Sequence, residues 1–329
     1  MSDTIENKAQ GKKIALLTSG GDAPGMNAAI RSIVRMGIDA GMEVIGIERG
    51  YVGLIEKDFR PMKWTDVGDT IHRGGTILKT ARCSRFMEDY WIDLAARNLS
   101  ESGIEGLVVI GGDGTFRGGK ALHDRGVQII GIPATIDNDL GYTECTIGFD
   151  TAVNTILDLI SKIRDTSSSH QRTTIIEVMG RECGDVALYA GMAGGADYYL
   201  LPEIDNNIEK LIETIRVGRH NGKMHSIIMK AEGADIPLQD LEKLLEERTG
   251  QSTRSVVPGY IQRGGTPTAQ DRIFATRAGA EAIRILAEGN DSCAIGISGG
   301  ELLSIDLTRA VEIPHEFRED VFNTARILG

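Results

Sequence analysis

Short apolar runs alternate with longer amphipathic stretches along almost the whole chain. The runs read as buried strands at Ile14–Leu17, Val44–Ile47, Gly106–Ile110, Val127–Ile132, Thr174–Val178, Tyr198–Leu201, His225–Met229, Val256–Ile261 and Cys293–Ile297. Between them, apolar positions at helical spacing predict helices at Asn27–Ala40, Phe116–Arg125, Thr151–Arg164, Ile208–Arg219, Leu238–Glu247 and Asp271–Glu288. In Thr151–Arg164, for example, Val153, Ile156, Leu157, Ile160 and Ile163 share one face. Strand and helix in strict alternation predict an α/β fold, a parallel sheet with helices on both faces. The strands are too many for one modest sheet, so two α/β domains are expected.

Composition narrows the function. The 329 residues carry 36 Lys+Arg against 47 Asp+Glu, a net charge of −11, which argues against a dedicated nucleic-acid binder. No run of about 18 uncharged apolar residues occurs, so no membrane span is expected. Met1 to Gln10 is polar and lacks the apolar core of a secretory signal. Cys83, Cys145, Cys183 and Cys293 form no CxxC pair, so neither zinc nor a disulfide framework is expected, and a reduced cytoplasmic protein follows. Glycine, 41 of 329 residues, is in excess over the usual ~7%, and its placement carries the chemistry.

Three loops follow strands, where α/β sheets bind ligands. Ser19-Gly20-Gly21-Asp22-Ala23-Pro24-Gly25-Met26-Asn27 follows the first strand and opens a helix. Glycines admit a ligand close to the backbone and the helix start offers N–H groups to an anion. Gly111-Gly112-Asp113-Gly114-Thr115 repeats the arrangement with a carboxylate added. One Asp beside a phosphate loop suits Mg²⁺, which takes one or two carboxylates plus phosphate oxygens. No Walker A lysine follows, so this is not a P-loop. Pro133-Ala134-Thr135-Ile136-Asp137-Asn138-Asp139 places two carboxylates at i and i+2, one able to take a proton from a hydroxyl and the other to support a metal. Each loop alone also suits a tight turn with no ligand. Arg82, Arg172, Arg181, Arg254 and Arg263 stand at edges of apolar runs beside Gly, Ser or Thr, and arginine suits bidentate phosphate binding. Anion loops, a metal carboxylate, a base and arginines together are what phosphoryl transfer requires.

The blocks LTSGGDAPGMNAAIR, VVIGGDGT, PATIDND, RDTSSSHQR, EVMGRECGD and GYIQRGGTP stand in one order from about Lys12 almost to the C-terminus. In this the chain resembles the bacterial ATP-dependent 6-phosphofructokinase family. The resemblance implies two similar Rossmann-like α/β domains with mostly parallel sheets and the active site in the cleft between them. The larger, ATP-binding domain would take 1–148 and about 261–311, and the smaller, sugar-phosphate domain about 149–260 and 312–329. It implies transfer of the ATP γ-phosphoryl to the 1-hydroxyl of fructose 6-phosphate. Asp137 would be the general base, Asp113 would hold Mg²⁺, and Asp139 would support it. Gly21, Arg82, Cys83, Gly112, Asp113, Gly114 and Thr115 would line ATP. Arg82 and Arg181, with Thr135, would stabilise the phosphoryl group in transit. Ile136, Met179, Gly180, Glu232, Tyr260 and Arg263 would complete the sugar site. Arg172 and Arg254 would grip the 6-phosphate from a neighbouring subunit, which implies a homotetramer. Arg31, Arg35, Arg164, Gly195, Asp197, Lys223 and His225 match a second site for ADP or phosphoenolpyruvate.

The chain departs from the family pattern at Tyr260, commonly His, at Ala134, commonly Gly, at Asp197, frequently Glu, and at Asn221, commonly Lys. The stretch Lys57–Asp69 is slightly shorter than usual. A pyrophosphate-dependent phosphofructokinase is the nearest alternative; such enzymes typically carry Asp at the position of Gly114 and Lys at that of Ala134. A small neutral pair there favours ATP, because an Asp would repel its α-phosphate and a Lys would attract pyrophosphate. A non-catalytic nucleotide sensor would be expected to lose Asp113 or Asp137, and both are present. An NAD or lipid kinase shares GGDGT but leaves TIDND and the later QRGG unaccounted for.

Overall fold

The computed structural model describes residues 9–289 and 291–329. Its strands are β1 (Lys13–Thr18), β2 (Glu43–Ile47), β3 (Phe59–Pro61), β4 (Gly106–Gly111), β5 (Gln128–Pro133), β6 (Thr173–Val178), β7 (Tyr198–Leu200), β8 (Ser226–Ala231), β9 (Thr253–Val256), β10 (Cys293–Ser298) and β11 (Glu301–Asp306). Its α-helices are α1 (Met26–Asp39), α2 (Tyr51–Glu56), α3 (Asp89–Glu101), α4 (Asp113–His123), α5 (Phe149–His170), α6 (Asp185–Gly194), α7 (Ile208–His220), α8 (Leu238–Thr249), α9 (Ala269–Glu288), α10 (Leu307–Glu312) and α11 (Glu319–Leu328). The chain divides into two compact units. The first runs to Ile136 and takes in Leu140–Thr151 and Arg263–His315; the second holds Asp137–Asp139, Ala152–Gln262 and Glu316–Gly329.

The first unit is built on a seven-stranded sheet in the order β11-β10-β5-β4-β1-β2-β3. Its pairings are parallel except at the two edges, β2–β3 and β10–β11. Alternate residues feed opposite faces. Ala15, Leu17, Leu107, Val109 and Ile129 pack with Phe116, Leu122, Leu99 and Leu307 from helices on one side. On the other, α1 approaches so closely that a Cβ on Gly37 would lie 2.7 Å from Val44 Cγ2 and 3.5 Å from Ile283 Cδ1 of α9. The second unit has a four-stranded parallel sheet, β7-β8-β6-β9. Ile175, Ile228 and Leu200 form its core with Leu211, Ile212 and Ile215 of α7 and Leu241 and Leu245 of α8.

The structure corrects the periodicity reading in three places. The strand expected at Val256–Ile261 ends at Val256, and Gly259–Arg263 is a 3-10 helix. Pro258 cannot donate to a ladder, and Gly259 adopts φ +60°, so the apolar run turns away and leaves Tyr260 80% exposed. The helix expected over Thr151–Arg164 runs on to His170 through a Ser/Thr-rich turn. The antiparallel edge strands escaped notice: β3 is three residues long and ends in proline, and β11 has polar and charged residues among its apolar ones. Gly299 and Gly300, both at positive φ, close the β10–β11 hairpin.

Candidate active site

In the first sheet the chain leaves β1 towards β2 on one side and later returns to β4 on the other. That reversal opens a crevice beyond the C-terminal ends of β1 and β4. Both glycine loops lie there and are tied together. Thr115 Oγ1 donates to the Ser19 carbonyl at 3.0 Å, and the Thr115 N–H donates to the Gly112 carbonyl at 2.9 Å. Thr115 is thus spent inside the protein. The loop offers an anion the N–H groups of Asp113 and Gly114, the first residues of α4, which have no intrahelical acceptor. A Cβ at Gly114 would meet nothing within 4 Å, whereas one at Gly112 would lie 3.2 Å from Thr135 Cβ. Both oxygens of Asp113 accept from Arg117 Nε, at 3.0 and 2.9 Å. The Arg263 guanidinium covers Gly21, with Cζ 3.3 Å from where a Cβ would stand. Thr80 Oγ1 donates to the Gly20 carbonyl at 2.7 Å, fastening the stretch that carries exposed Arg82 and half-buried Cys83 to the first loop.

In the second unit Asp137 is buried, and Arg181 Nε lies 3.2 Å from its Oδ2. Unusual backbone lies at or beside both residues. Asn138, between Asp137 and Asp139, has φ +56° and donates from Nδ2 to Asp185 Oδ2 at 2.8 Å; asparagine tolerates this left-handed geometry. Arg181 has φ +54°, and a Cβ at Gly180 would lie 2.3 Å from the Cys183 carbonyl oxygen. Glu232 Oε1 holds the turn by accepting from Gly180 N at 3.2 Å and Arg181 N at 2.9 Å. Gln262, fully buried, accepts from Met179 N at 3.0 Å. A cavity of 210 Å³ opens here, lined by Met179, Glu232, Tyr260 and Glu177 among others.

Arg172 and Arg254 do not line this cavity. Arg172 immediately precedes β6, and Arg254 is level with Thr174 near the start of that strand, whereas Met179 follows its end. Six residues of strand separate the two ends, about 20 Å at ~3.3 Å per residue. Arg254 Nη1 lies 3.9 Å from Glu242 and 3.8 Å from Glu246 of α8, and Arg172 Nη2 donates to Thr166 Oγ1 at 3.3 Å.

The model of the family described as Phosphofructokinase matches residues 13–286. The chain belongs to the phosphofructokinase family. It is 53% identical over 318 residues to the ATP-dependent 6-phosphofructokinase of Clostridium tetani, covering 97% of this chain and 99% of that protein. The structure resembles phosphofructokinase from Saccharomyces cerevisiae with a TM-score of 0.89 at 33% identity over 95% of this chain, which spans half the length of the yeast chain. A pyrophosphate-dependent phosphofructokinase from Marinobacter aquaeolei shares the fold with a TM-score of 0.82 at 21% identity, covering 94% of this chain and 86% of that one. One phosphofructokinase fold therefore occurs with either donor in the name, and donor choice must be argued from residues.

The residues matched to an effector site fall in both units. Arg31 and Arg35 lie on α1 of the first; partial burial, and then the neighbouring Arg35 charge, lower the Arg31 pKa. Arg35 stacks on Trp64, 4.9 Å from the ring centre. In the second unit Arg164 donates to the carbonyls of Gly194 and Gly195. Lys223 is ion-paired to Asp197, whose Oδ2 accepts from Ile227 N at 2.7 Å. Asp197, Lys223 and Asn221 line a 490 Å³ cavity, while half-buried His225 does not. Sequence reasoning missed Gln262, the Asn138–Asp185 bond and the Arg117–Asp113 pair. Asn138 had a readable signal, an asparagine between two acids in a loop. The other partners come from the folding of distant segments, or are one of many i,i+4 charge pairs.

Proposed function

We propose that the chain is an ATP-dependent 6-phosphofructokinase, transferring the γ-phosphoryl of Mg-ATP to the 1-hydroxyl of fructose 6-phosphate to give fructose 1,6-bisphosphate and ADP. The observation that carries the reading is buried Asp137 ion-paired to Arg181 on a turn that Glu232 holds. Asp137 takes the proton of the 1-hydroxyl as its oxygen attacks phosphorus. Arg181 moves from the carboxylate towards the transferring group, where negative charge gathers. Arg82 and the hydroxyl of Thr135 serve the same charge, and Ile136, Gly180 and Met179 shape the sugar site. Gly21, Gly112 and the amides of Asp113 and Gly114 cradle ATP phosphates. Arg263, which lies over Gly21, serves the sugar site in this reading.

Mg²⁺ fits the donors present. Asp113 offers hard carboxylate oxygens at the mouth of an anion loop, the remaining ligands coming from phosphate and water. When bound, the ion neutralises phosphate charge. Arg117 holds Asp113 until then, and Asp139 supports the site. Open space at Gly114 supports ATP over pyrophosphate, since the larger donor needs it.

Arg172 and Arg254 reach a 6-phosphate only from a second copy, because strand length separates them from Met179 in their own chain. This supports a homotetramer with shared sites. Arg31, Arg35, Arg164, Gly195, Asp197, Lys223 and His225 are assigned to an ADP or phosphoenolpyruvate effector. A cytoplasmic location suits such an enzyme, and no helix among the described residues is long and apolar enough to cross a membrane. The test is fructose 1,6-bisphosphate formation from fructose 6-phosphate with Mg-ATP and, in parallel, with Mg-pyrophosphate. Product with ATP alone is expected. Product with pyrophosphate alone overturns the donor assignment, and none with either overturns the enzyme.

A further inference from the structure

The 210 Å³ cavity has a wall that none of these roles uses. Glu177 lines it beside Met179, Glu232 and Tyr260, and its partner is a buried lysine. Lys230 is 2% exposed; its Nζ lies 2.9 Å from Glu177 Oε2 and 3.1 Å from the Ala231 carbonyl. Glu177 and Lys230 are opposite each other in the β6–β8 register. Two residues earlier on the same strands, and so on the same face, Ile175 and Ile228 stand in the apolar core against α7 and α8. The charged pair therefore ends an apolar row, where another apolar pair would continue the core.

Stability alone is a poor reason for this pair. Burying an ammonium costs several kcal/mol, and apolar replacements of buried pairs are often neutral or stabilising. The cavity supplies a better reason. Glu177 is 21% exposed. Lys230 holds its Oε2, and its Oε1 has no hydrogen-bond partner among the described residues. An ionised carboxylate can only accept, so such a wall selects a hydroxyl donor.

We propose that Lys230 is a positioning residue that holds and aims the Glu177 carboxylate, so that Glu177 accepts a hydrogen bond from a ring hydroxyl of the sugar phosphate in this cavity. The inference rests on reading the cavity as the fructose 6-phosphate site. Lys230 has a second effect there. Glu177 and Glu232 would together repel a phosphorylated sugar, and the buried ammonium offsets one of these charges.

The test compares wild type with Lys230→Met, Lys230→Arg and Glu177→Gln/Lys230→Met. The double variant keeps the shape of the pair without its charges, so it remains informative if Lys230→Met alone fails to fold. The fructose 6-phosphate KM is expected to rise about tenfold in Lys230→Met and in the double variant, the scale of one charge-assisted hydrogen bond. The ATP KM should stay unchanged, kcat should fall by less than about twofold, and Lys230→Arg should recover most of the loss. Wild type should also discriminate against fructose 6-phosphate analogues lacking the 3- or the 4-hydroxyl, and the double variant should lose that discrimination for one of them. A double variant with wild-type KM and discrimination, whatever its Tm, overturns the proposal and leaves a structural pair. A wild-type chain that turns over no fructose 6-phosphate overturns the site reading itself, a different result.

Discussion

Arg181 Nε sits 3.2 Å from Asp137 Oδ2, joining a side chain that is 55% exposed to one that is 5% exposed. A buried acid is thus paired with an arginine whose side chain is largely in solvent. In the proposed mechanism Asp137→Ser removes the acceptor of the hydroxyl proton, and it should lower kcat by 10²-fold or more, on the scale of about 10²–10⁴ for a lost general base. The KM values for both substrates should change little, since the loss falls in the transition state. Steady-state kinetics check this, and near-normal turnover removes Asp137 from the base role.

Arg254→Ser should raise the fructose 6-phosphate KM at least tenfold, the scale of a charge-assisted contact to phosphate. The proposed sharing of sites between subunits adds a sharper consequence. Subunits carrying Asp137→Ser, unfolded and refolded together with subunits carrying Arg254→Ser, should form some sites in which both residues are intact. Activity of the mixture well above the sum of the separate variants is the expected result. A mixture equal to that sum would confine each site to one chain.

Gly114→Asp should fold normally, because its Cβ enters open space and an acid suits the first turn of α4. The same carboxylate would occupy room that the nucleotide needs. A rise of more than tenfold in the ATP KM is expected, with Tm within about 2 °C of wild type, since surface changes of this kind stay within about ±0.5 kcal/mol. Calorimetry and ATP titration separate the two effects.

Burial pushes the Cys145 and Cys293 thiols up to about 11. The folded chain therefore keeps these protons where the unfolded chain has begun to lose them. Their stabilising contribution is complete below the ordinary thiol value near 9 and is lost as pH rises towards 11. Tm measured across that range should fall less steeply in Cys145→Ala/Cys293→Ala than in wild type. Equal slopes would assign the alkaline loss to other groups.

Asn138→Ala should cost about 1–3 kcal/mol through the lost bond to buried Asp185, with a further penalty of about 1–2 kcal/mol for alanine at a positive φ. It should also lower kcat, because Asp137 shares that turn. Denaturant unfolding and kinetics measured together check both, and a destabilised variant with unchanged kcat would uncouple the turn from the base.

The sequence makes the three loops legible because glycine excess and strand ends coincide there. It also makes the parallel strands legible, since strands buried on both faces are continuous apolar runs. Val257, Tyr260 and Ile261 mislead for the same reason: they extend an apolar run, yet Pro258 and Gly259 within it send them to the surface. Gln262 and Asp185 stay hidden because their partners, Met179 and Asn138, are distant along the chain and no period links them. Lys230 is hidden differently, as a charge inside a strand whose neighbours predict burial.

The bond from the Thr115 hydroxyl to the Ser19 carbonyl spans 96 residues of chain and has an engineering consequence. The two glycine loops form one cassette. Exchanging either loop alone with that of a relative using another donor would leave a buried carbonyl or hydroxyl without its mate, so a transplant of donor preference has to carry both loops together.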